Sequence, residues 1–289
     1  MQDITLLKQA LPFLRKFKDS LFVIKFGGEA MRTQEQLDRL AEDISFLYSV
    51  GIRLLIVHGG GTQVTELEKA MGIESRKVAG RRVTDAGSLR ALKMALSGEL
   101  NADLVATLRA FGVNAVGMSA FSGGIIEAVR RPPTKVTGSD EVTDFGFVGD
   151  VAKVNTTLLS SLLAQEFLPV LSPLSADAEG QILNINADTV ACRLASALKA
   201  EKLLLMTDQL GVMQDLNDRT TLISQLTASQ ARAAIQQGII KGGMIPKVEE
   251  ALDALAAGVK QVHILSAVEH HMLLVEVFTE SGCGTMLVP

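Results

Sequence analysis

Two glycine turns follow the first two apolar segments of the chain, and each has the residue pattern of an anion-binding turn. The sequence KFGG at 25–28 ends the first apolar segment, and HGGG at 58–61 follows the second. A glycine turn between a strand and a helix presents backbone N–H groups at the positive end of the helix dipole. In an open parallel sheet the carboxyl ends of the strands meet at one crevice. Both turns therefore indicate a phosphate site, although glycines also serve simply to permit tight turns.

Two lysines stand where a cation is unfavourable without an anionic partner. Lys25 lies inside the apolar strand LFVIKF, where an unpaired ammonium group is costly to bury. It either points outward from an edge strand or faces the crevice. Lys247 lies in the first turn of a helix predicted after the glycines at 242–243, where the helix dipole disfavours a cation. Contact with an anion explains Lys247, and a solvated side chain is the alternative.

Amide and carboxylate groups come together in NINAD at 184–188, just before another predicted helix. Asn186 or Asp188 can cap that helix. A capping role is compatible with a ligand-binding role, so the segment is a further candidate for the site.

Composition and missing motifs exclude several classes of protein. The 28 Lys and Arg residues against 32 Asp and Glu give a net charge of −4, which does not suit a nucleic-acid or membrane-surface protein. No apolar stretch is long enough to span a membrane and the N-terminus is too polar for a signal peptide, so we expect a cytoplasmic protein. The P-loop pattern and a G-x-G-x-x-G turn in the first βα unit are absent. Cys192 and Cys283 lie far apart, which predicts neither a disulfide framework nor a thiolate metal site.

Short apolar runs alternate with amphipathic stretches, a pattern that predicts an α/β fold around a mainly parallel sheet. The predicted strands are 21–26, 53–57, 115–118, 168–171, 203–207 and 261–265. The predicted helices are 35–50, 62–71, 85–111 with a break near 97–98, 156–165, 188–199, 228–236 and 245–257. Alternating apolar residues within 138–155 predict an antiparallel hairpin inserted in this frame.

Seven segments carry a resemblance to a known family, in the same order along nearly the whole chain. They are KFGG at 25–28, HGGG at 58–61, RVTD at 82–85, NINAD at 184–188, MTD at 206–208, GGMIPK at 242–247 and GTM at 284–286. This set resembles the amino acid kinase family, most closely its members that act on N-acetyl-L-glutamate. The resemblance implies a three-layer αβα sandwich with an acetylglutamate-binding N-lobe at 21–180 and an ATP-binding C-lobe at 181–289. It implies transfer of phosphate from ATP to the substrate's γ-carboxylate, a step of arginine biosynthesis.

The resemblance also implies a role for each matching residue. Lys25 and Lys247 would hold the phosphoryl oxygens, Gly28 would donate an N–H group, and Asp188 would orient both lysines. The remaining positions implied for acetylglutamate are Gly60, Gly61, Arg82 and Asn184, and those implied for the nucleotide are Thr207, Asp208, Gly211 and Lys247. Mg²⁺ would arrive with ATP, and no dedicated metal site is predicted.

Two segments depart from the family pattern and leave alternatives open. The loop GMSAFSGG at 117–124 lacks an acidic residue common in the family, and LSAVEHH at 265–271 replaces a more usual D-G-R stretch. A kinase of another carboxylate, such as aspartate or an aminoadipate derivative, is one alternative. A catalytically silent amino-acid-sensing module is another, but the retention of Lys25, Asp188 and Lys247 together argues against it. We expect the adjacent histidines at 270–271 to lie on the surface.

The segment 1–20 precedes the first strand and reads as an amphipathic helix kinked at Pro12. Its apolar residues Leu7, Leu11, Leu14 and Phe17 recur at helical spacing. Such a stripe commonly packs on its own domain. With such a helix, the chain resembles the arginine-inhibited members of the family. In those members the N-terminal helices interlace three dimers into a hexamer. The resemblance therefore implies a hexamer and an L-arginine effector.

Overall fold

The computed structural model describes residues 2–78, 81–135, 142–216 and 218–289, with side chains described from Ala10 onward. The helices are α1 (Gln2–Phe17), α2 (Gln34–Ser49), α3 (Gly61–Ala70), α4 (Ala86–Met94), α5 (Asn101–Ala110), α6 (Thr157–Ala164), α7 (Ala187–Ala197), α8 (Ala228–Gln236), α9 (Met244–Ala256) and α10 (Met272–Phe278). The strands are β1 (Leu21–Phe26), β2 (Arg53–His58), β3 (Lys77–Val78), β4 (Arg81–Arg82), β5 (Ala115–Ser119), β6 (Ile126–Arg130), β7 (Thr134–Lys135), β8 (Val142–Thr143), β9 (Gly149–Val154), β10 (Leu168–Ser172), β11 (Leu174–Ala176), β12 (Ile182–Asn184), β13 (Lys202–Thr207), β14 (Gln225–Thr227), β15 (Gln261–Ser266) and β16 (Thr285–Val288).

One eight-stranded sheet runs through the molecule in the order β14-β16-β15-β13-β1-β2-β10-β5. Its neighbouring strands are parallel except β15 and β16. Successive residues of β1 point to opposite faces, so Val23 packs with α7 and α9 while Phe22 and Ile24 pack with α2 and α5. Helices therefore cover both faces, which confirms the α/β fold class and the three layers. No described helix is long and apolar enough to cross a membrane.

The predicted elements are confirmed with small shifts at their ends, because strands buried on both faces read as continuous apolar runs. The helix predicted over 85–111 does not break near Ser97. One wider turn, a π-helix over Ala95–Leu100, joins α4 to α5. Ser97 within this turn lies 2.8 Å from the hydroxyl oxygens of both Ser119 and Ser172, which tie the turn to the ends of β5 and β10.

The hairpin predicted within 138–155 is wrong in its strand partners. Strand β9 pairs antiparallel with β6, and the short β8 pairs with β7, so both partners precede the predicted segment. The residues 138–141 lie outside the described part of the chain. Strands β6 and β9 belong to a second sheet, ordered β12-β11-β6-β9, beside the main one.

Helix α1 packs back on its own domain through its C-terminal end. Phe17 is buried, and its ring lies edge-on to Phe22 of β1 at a centroid distance of 5.2 Å. Leu14 is half-buried, whereas Leu11 is exposed in this single chain. The Leu7 side chain lies outside the described residues.

A buried cluster of polar side chains fixes α10 to the sheet. His263 of β15 contacts Lys202 of β13 at 2.8 Å and Glu276 of α10 at 2.6 Å. Burial opposes the Glu276 charge, but hydrogen bonds from His263 and from the N–H groups of Cys283 and Gly284 lower the Glu276 pKa to about 2. Burial lowers the pKa of Lys202 to about 8. The Glu276 carboxylate thus fixes both α10, which carries it, and the turn before β16, whose N–H groups donate to it.

Candidate active site

One carboxylate bridges two lysines at the centre of the molecule. Asp188 places Oδ1 2.9 Å from Lys25 Nζ and Oδ2 2.7 Å from Lys247 Nζ. Lys25 belongs to the central strand β1, so it faces the crevice rather than solvent at an edge. Lys247 lies in the first turn of α9 and is buried, which makes the solvated alternative wrong. Asn186 caps α7 by accepting the Asp188 N–H at 2.9 Å, and this capping bond fixes the start of the helix that carries the bridge.

The charges of this cluster depend on one another because all three side chains are almost enclosed. Burial opposes ionisation of Asp188, but the two ammonium groups hold the pKa of its carboxyl well below the usual range. Burial likewise opposes the Lys25 charge, and the ion pair with Asp188 still raises the pKa of Lys25. Burial and the neighbouring Lys25 lower the pKa of Lys247. Two cations against one anion leave an excess positive charge that suits a phosphoryl group.

A first cleft of about 690 Å³ opens beside Lys25. The sequence-predicted residues that line it are Lys25, Gly28, Gly60, Gly61, Arg82 and Asn184. Residues that sequence reasoning missed also line it, among them Glu29, Lys77, Leu92 and Leu96. Lys77 pairs with Arg82 across the short β3–β4 ladder, so strand pairing brings a second cation to the rim. Each of these positions is a single residue outside the predicted motifs, so no sequence pattern indicated that it lines the cleft.

A side chain at two of the predicted glycine positions would displace a neighbouring side chain. A Cβ atom on Gly28 would fall 1.9 Å from Gln63 Oε1, and one on Gly60 would fall 2.3 Å from Leu100 Cδ1. Among the described residues, no acceptor receives the N–H groups of Gly60 and Gly61, which begin α3. These N–H groups are therefore open donors at a helix N-terminus on the cleft wall.

Arg82 lines the first cleft, whereas Arg81 is exposed. The guanidinium forms an ion pair with the fully buried Glu68. Its two terminal nitrogens also donate to Ser75 Oγ at 2.8 Å, Thr65 Oγ1 at 2.7 Å and the Gly61 carbonyl at 3.1 Å. Binding of a substrate carboxylate by both terminal nitrogens therefore requires exchange of at least one of these contacts.

Asn184 reaches the same cleft from the end of β12. Its Nδ2 donates to Thr84 Oγ1 at 3.3 Å, and its backbone N–H donates to the Phe147 carbonyl at 2.8 Å. Thr84 belongs to the predicted RVTD segment and is buried. The contact therefore joins two of the seven segments that lie 100 residues apart.

A second cleft of about 780 Å³ lies at the carboxyl end of β13. All four residues implied for the nucleotide line it: Thr207, Asp208, Gly211 and Lys247. A Cβ atom on Gly211 would lie 2.6 Å from Thr285 Oγ1. That hydroxyl accepts the Val212 N–H at 2.8 Å and donates to the Ile223 carbonyl at 2.6 Å, so Thr285 of the GTM segment holds the floor of this cleft.

Lys25 belongs to the first cleft and Lys247 to the second, and the Asp188 carboxylate contacts both. A group bound between the two ammonium groups would thus be within reach of molecules in either cleft. Opposed clefts joined by two cations suit transfer of an anionic group from one bound molecule to another.

The two segments that depart from the family pattern lie away from the cleft walls. No residue of the loop 117–124 is among the described residues that line either cleft. His271 contacts Asp43 at 2.7 Å, and His270 contacts Arg39 at 2.5 Å, with both histidines exposed as predicted. Within the described ranges, no three His, Cys, Asp or Glu residues cluster as metal ligands.

Comparisons with known proteins concern the chain as a whole. The model of the amino acid kinase family matches residues 20–266. An acetylglutamate kinase of Methanocaldococcus jannaschii is 46% identical and aligns with 99% of this chain and 96% of its own length. An N-acetylglutamate synthase of Neisseria gonorrhoeae, solved with coenzyme A and N-acetyl-glutamate, superposes with a TM-score of 0.86 at 27% identity.

The superposition covers 99% of this chain but only 63% of the synthase chain. The same synthase solved with coenzyme A and L-arginine superposes with a TM-score of 0.82 at 25% identity. The resemblance seen in the seven segments is thereby confirmed, and the chain belongs to the amino acid kinase family.

Proposed function

We propose that this protein transfers the γ-phosphoryl group of ATP to the γ-carboxylate of N-acetyl-L-glutamate, a step of arginine biosynthesis. The observation that carries the proposal is the Asp188 carboxylate between Lys25 and Lys247, at the junction of the two clefts. The full-length similarity to acetylglutamate kinases supports the choice of acceptor. A cytoplasmic location, where ATP is available, belongs to the same proposal.

The two lysines stabilise the phosphoryl group as it passes from donor to acceptor. Phosphoryl transfer between two anions needs chiefly alignment and neutralisation of charge on the moving group. Lys25 approaches that group from the first cleft and Lys247 from the second, while Asp188 fixes both ammonium groups in place. The open N–H groups of Gly60 and Gly61 add uncharged donors on the acceptor side.

The acceptor needs no general base, because a carboxylate is already ionised at neutral pH. Mg²⁺ enters with the nucleotide, since this ion keeps several waters and is held by phosphates with one or two carboxylates. Asp208 lies next to Thr207 and is one of two aspartates, with Asp215, among the described residues that line the second cleft, so it fits that limited role.

The first cleft recognises the acceptor through Arg82 and Asn184. A guanidinium binds a carboxylate through paired hydrogen bonds, and an amide both donates and accepts. The substrate's α-carboxylate then displaces part of the Arg82 shell of Ser75, Thr65 and the Gly61 carbonyl.

The test is trapping of the acyl phosphate with hydroxylamine. Purified protein is incubated with MgATP and either N-acetyl-L-glutamate, aspartate, glutamate or an aminoadipate derivative. We expect a hydroxamate from N-acetyl-L-glutamate at a rate well above the other acceptors. Hydroxamate from aspartate alone would favour a different carboxylate kinase, and none from any acceptor would favour a silent sensing module.

We further propose that the protein assembles as a hexamer, a trimer of dimers, through α1, and that L-arginine inhibits it. The exposed Leu11 near the middle of α1 supports an intermolecular contact, since the helix packs on its own core through Phe13 and Phe17 nearer its C-terminal end. The similarity to a synthase solved with L-arginine supports the effector.

Leu11→Glu tests the assembly more cleanly than removal of residues 1–20, because removal would also expose the core around Phe17. We expect light scattering to show smaller particles for the variant and an unchanged circular dichroism spectrum. A hexamer that survives Leu11→Glu would contradict the role of α1, and a flat titration with L-arginine would contradict the regulation.

A further inference from the structure

His58 is the last residue of β2 and precedes the glycines whose N–H groups have no acceptor among the described residues. Its ring neither lines one of the two clefts nor contacts Lys25 or Lys247. The side chain is fully buried beside the end of β1, where His58 pairs with Phe26. Its Nδ1 lies 3.0 Å from the carbonyl oxygen of Gly59, and its Nε2 lies 3.0 Å from Asn101 Nδ2. A buried imidazole with a defined partner on each nitrogen has one defined tautomer.

The partners identify that tautomer. The Gly59 carbonyl can only accept, so Nδ1 must carry a proton to form this bond. Asn101 Nδ2 also lies 3.1 Å from the Val170 carbonyl, another pure acceptor, which fixes this atom as the amide nitrogen. The second proton of that amide then points to Nε2, which accepts it. Burial lowers the pKa of His58 to about 4, so the ring is neutral at pH 7, as the contacts require.

The bond from Nδ1 controls the neighbouring N–H group. The Gly59 carbonyl and the Gly60 N–H belong to one planar trans peptide unit and point in opposite directions. The Gly59 N–H is already donated to the Phe26 carbonyl at 2.8 Å, which leaves the Gly59–Gly60 peptide as the next unit free to rotate. A donor on its carbonyl fixes the plane and polarises the N–H on the opposite side.

Asn101 is itself held in position by the fold. It begins α5 directly after the π-helix over Ala95–Leu100, and it is buried. A Cβ atom on Gly117 of β5 would lie 2.1 Å from Asn101 Oδ1, so a side chain at this position would displace the amide. Gly117 belongs to the segment 117–124 that departs from the family pattern, and three contacts, through Asn101 and His58 to Gly59, separate it from the first cleft.

We propose that His58 is a positioning residue: its Nδ1–H, set by Asn101, holds the Gly59–Gly60 peptide so that the Gly60 N–H faces the transferred phosphoryl group. This inference rests on the proposed function. The chain is Gly117, Asn101, His58 and the Gly59 carbonyl, and it ends at an open donor on the wall of the first cleft.

Two substitutions of His58 separate orientation from packing. Asn carries its amide nitrogen at the δ position and can still donate to Gly59, whereas Gln carries it at the ε position and cannot. Both are smaller than His, and Asn, which is one methylene shorter than Gln, leaves the larger gap. A loss of packing alone would therefore harm His58→Asn more than His58→Gln. We expect His58→Gln to lower kcat about tenfold or more with little change in KM, since a contact made in the transition state is weakened. His58→Asn should retain kcat within about threefold of wild type by the same reasoning.

Nitrogen-15 NMR of the imidazoles reads the tautomer directly in the full-length protein. We expect His58, assigned by its loss in His58→Asn, to carry its proton on Nδ1. A proton on Nε2, or a kcat loss in His58→Asn equal to or larger than that in His58→Gln, would overturn the proposal. An inactive wild type would instead overturn the proposed function, because the tautomer is measured without substrate.

Discussion

Replacement of Asp188 by Asn is the sharpest perturbation of the site, because it removes the one anion between two buried cations. At an effective dielectric constant of about 20, unit charges separated by the observed 2.9 and 2.7 Å attract each other by about 6 kcal/mol per pair. Desolvation offsets part of this attraction. Loss of one partner from a buried pair therefore lowers the free energy of unfolding by about 3–5 kcal/mol.

Phosphate groups bound between Lys25 and Lys247 should replace the lost charge. The loss of stability in Asp188→Asn is then largest without ligand and smaller when a non-hydrolysable MgATP analogue saturates the protein. We expect kcat to fall about a hundredfold or more, since both lysines lose their orientation. Urea unfolding with and without the analogue measures the first effect, and hydroxamate formation measures the second.

The exposed pair of Glu127 and Lys153, 3.1 Å apart, provides a matched control. Both side chains are well exposed, so Glu127→Gln should cost less than about 1 kcal/mol. The pKa of Asp188 lies below its ordinary value, so its contribution persists from neutral pH and is lost only as pH falls well below about 4. Equal destabilisation by Asp188→Asn and Glu127→Gln, or no effect of the analogue, would refute this account of the bridge.

Three other outcomes follow from the same contacts. Lys25→Ala and Lys247→Ala should each lower kcat about a hundredfold with smaller effects on KM, and stopped assays with varied MgATP measure both constants. Arg82→Ala should raise KM for N-acetyl-L-glutamate, whereas Arg81→Ala should leave it unchanged; the reverse result would contradict the assignment of Arg82 to the cleft. The pKa of Glu276 is lowered to about 2, so the ionised carboxylate stabilises the folded protein above about pH 5. The wild type should therefore be about 3 kcal/mol more stable than Glu276→Gln at neutral pH. Unfolding measured at decreasing pH should show this difference disappear between about pH 5 and 2.

Local sequence patterns predicted the elements of the main sheet because each strand is buried on both faces and each helix has one apolar face. The same patterns singled out Lys25 inside an apolar strand and Lys247 in the first turn of a helix, two places where an isolated cation is unfavourable. Patterns of this kind say nothing about which short strands pair over long distances. The partner of β9 was therefore mispredicted, because β6 lies outside the segment whose alternation was used.

Local sequence patterns also could not identify the buried residues that hold the site residues in place. Glu68 looks like an ordinary helix residue in the sequence, yet it is fully buried against Arg82. Asn101 looks like one more polar residue of a long helix, and the π-helix before it sets the face that it presents. Both positions depend on three-dimensional packing between elements that are remote in sequence. Only the family resemblance placed Arg82 and Asn184 in one cleft before the structure did.

Strand order explains why a single aspartate can serve both clefts. Strand β1 has β2 on one side and β13 on the other, so the chain first runs from β1 into one half of the sheet and only later, from β13 onward, builds the other half. A crevice opens at such a reversal in strand order, beyond the carboxyl ends of the strands. The first cleft uses the turns after β1 and β2, and the second uses the turn after β13. Helix α7 packs on β1, β2 and β13, and Asp188 in its first turn thereby offers one carboxylate oxygen to the lysine of each cleft.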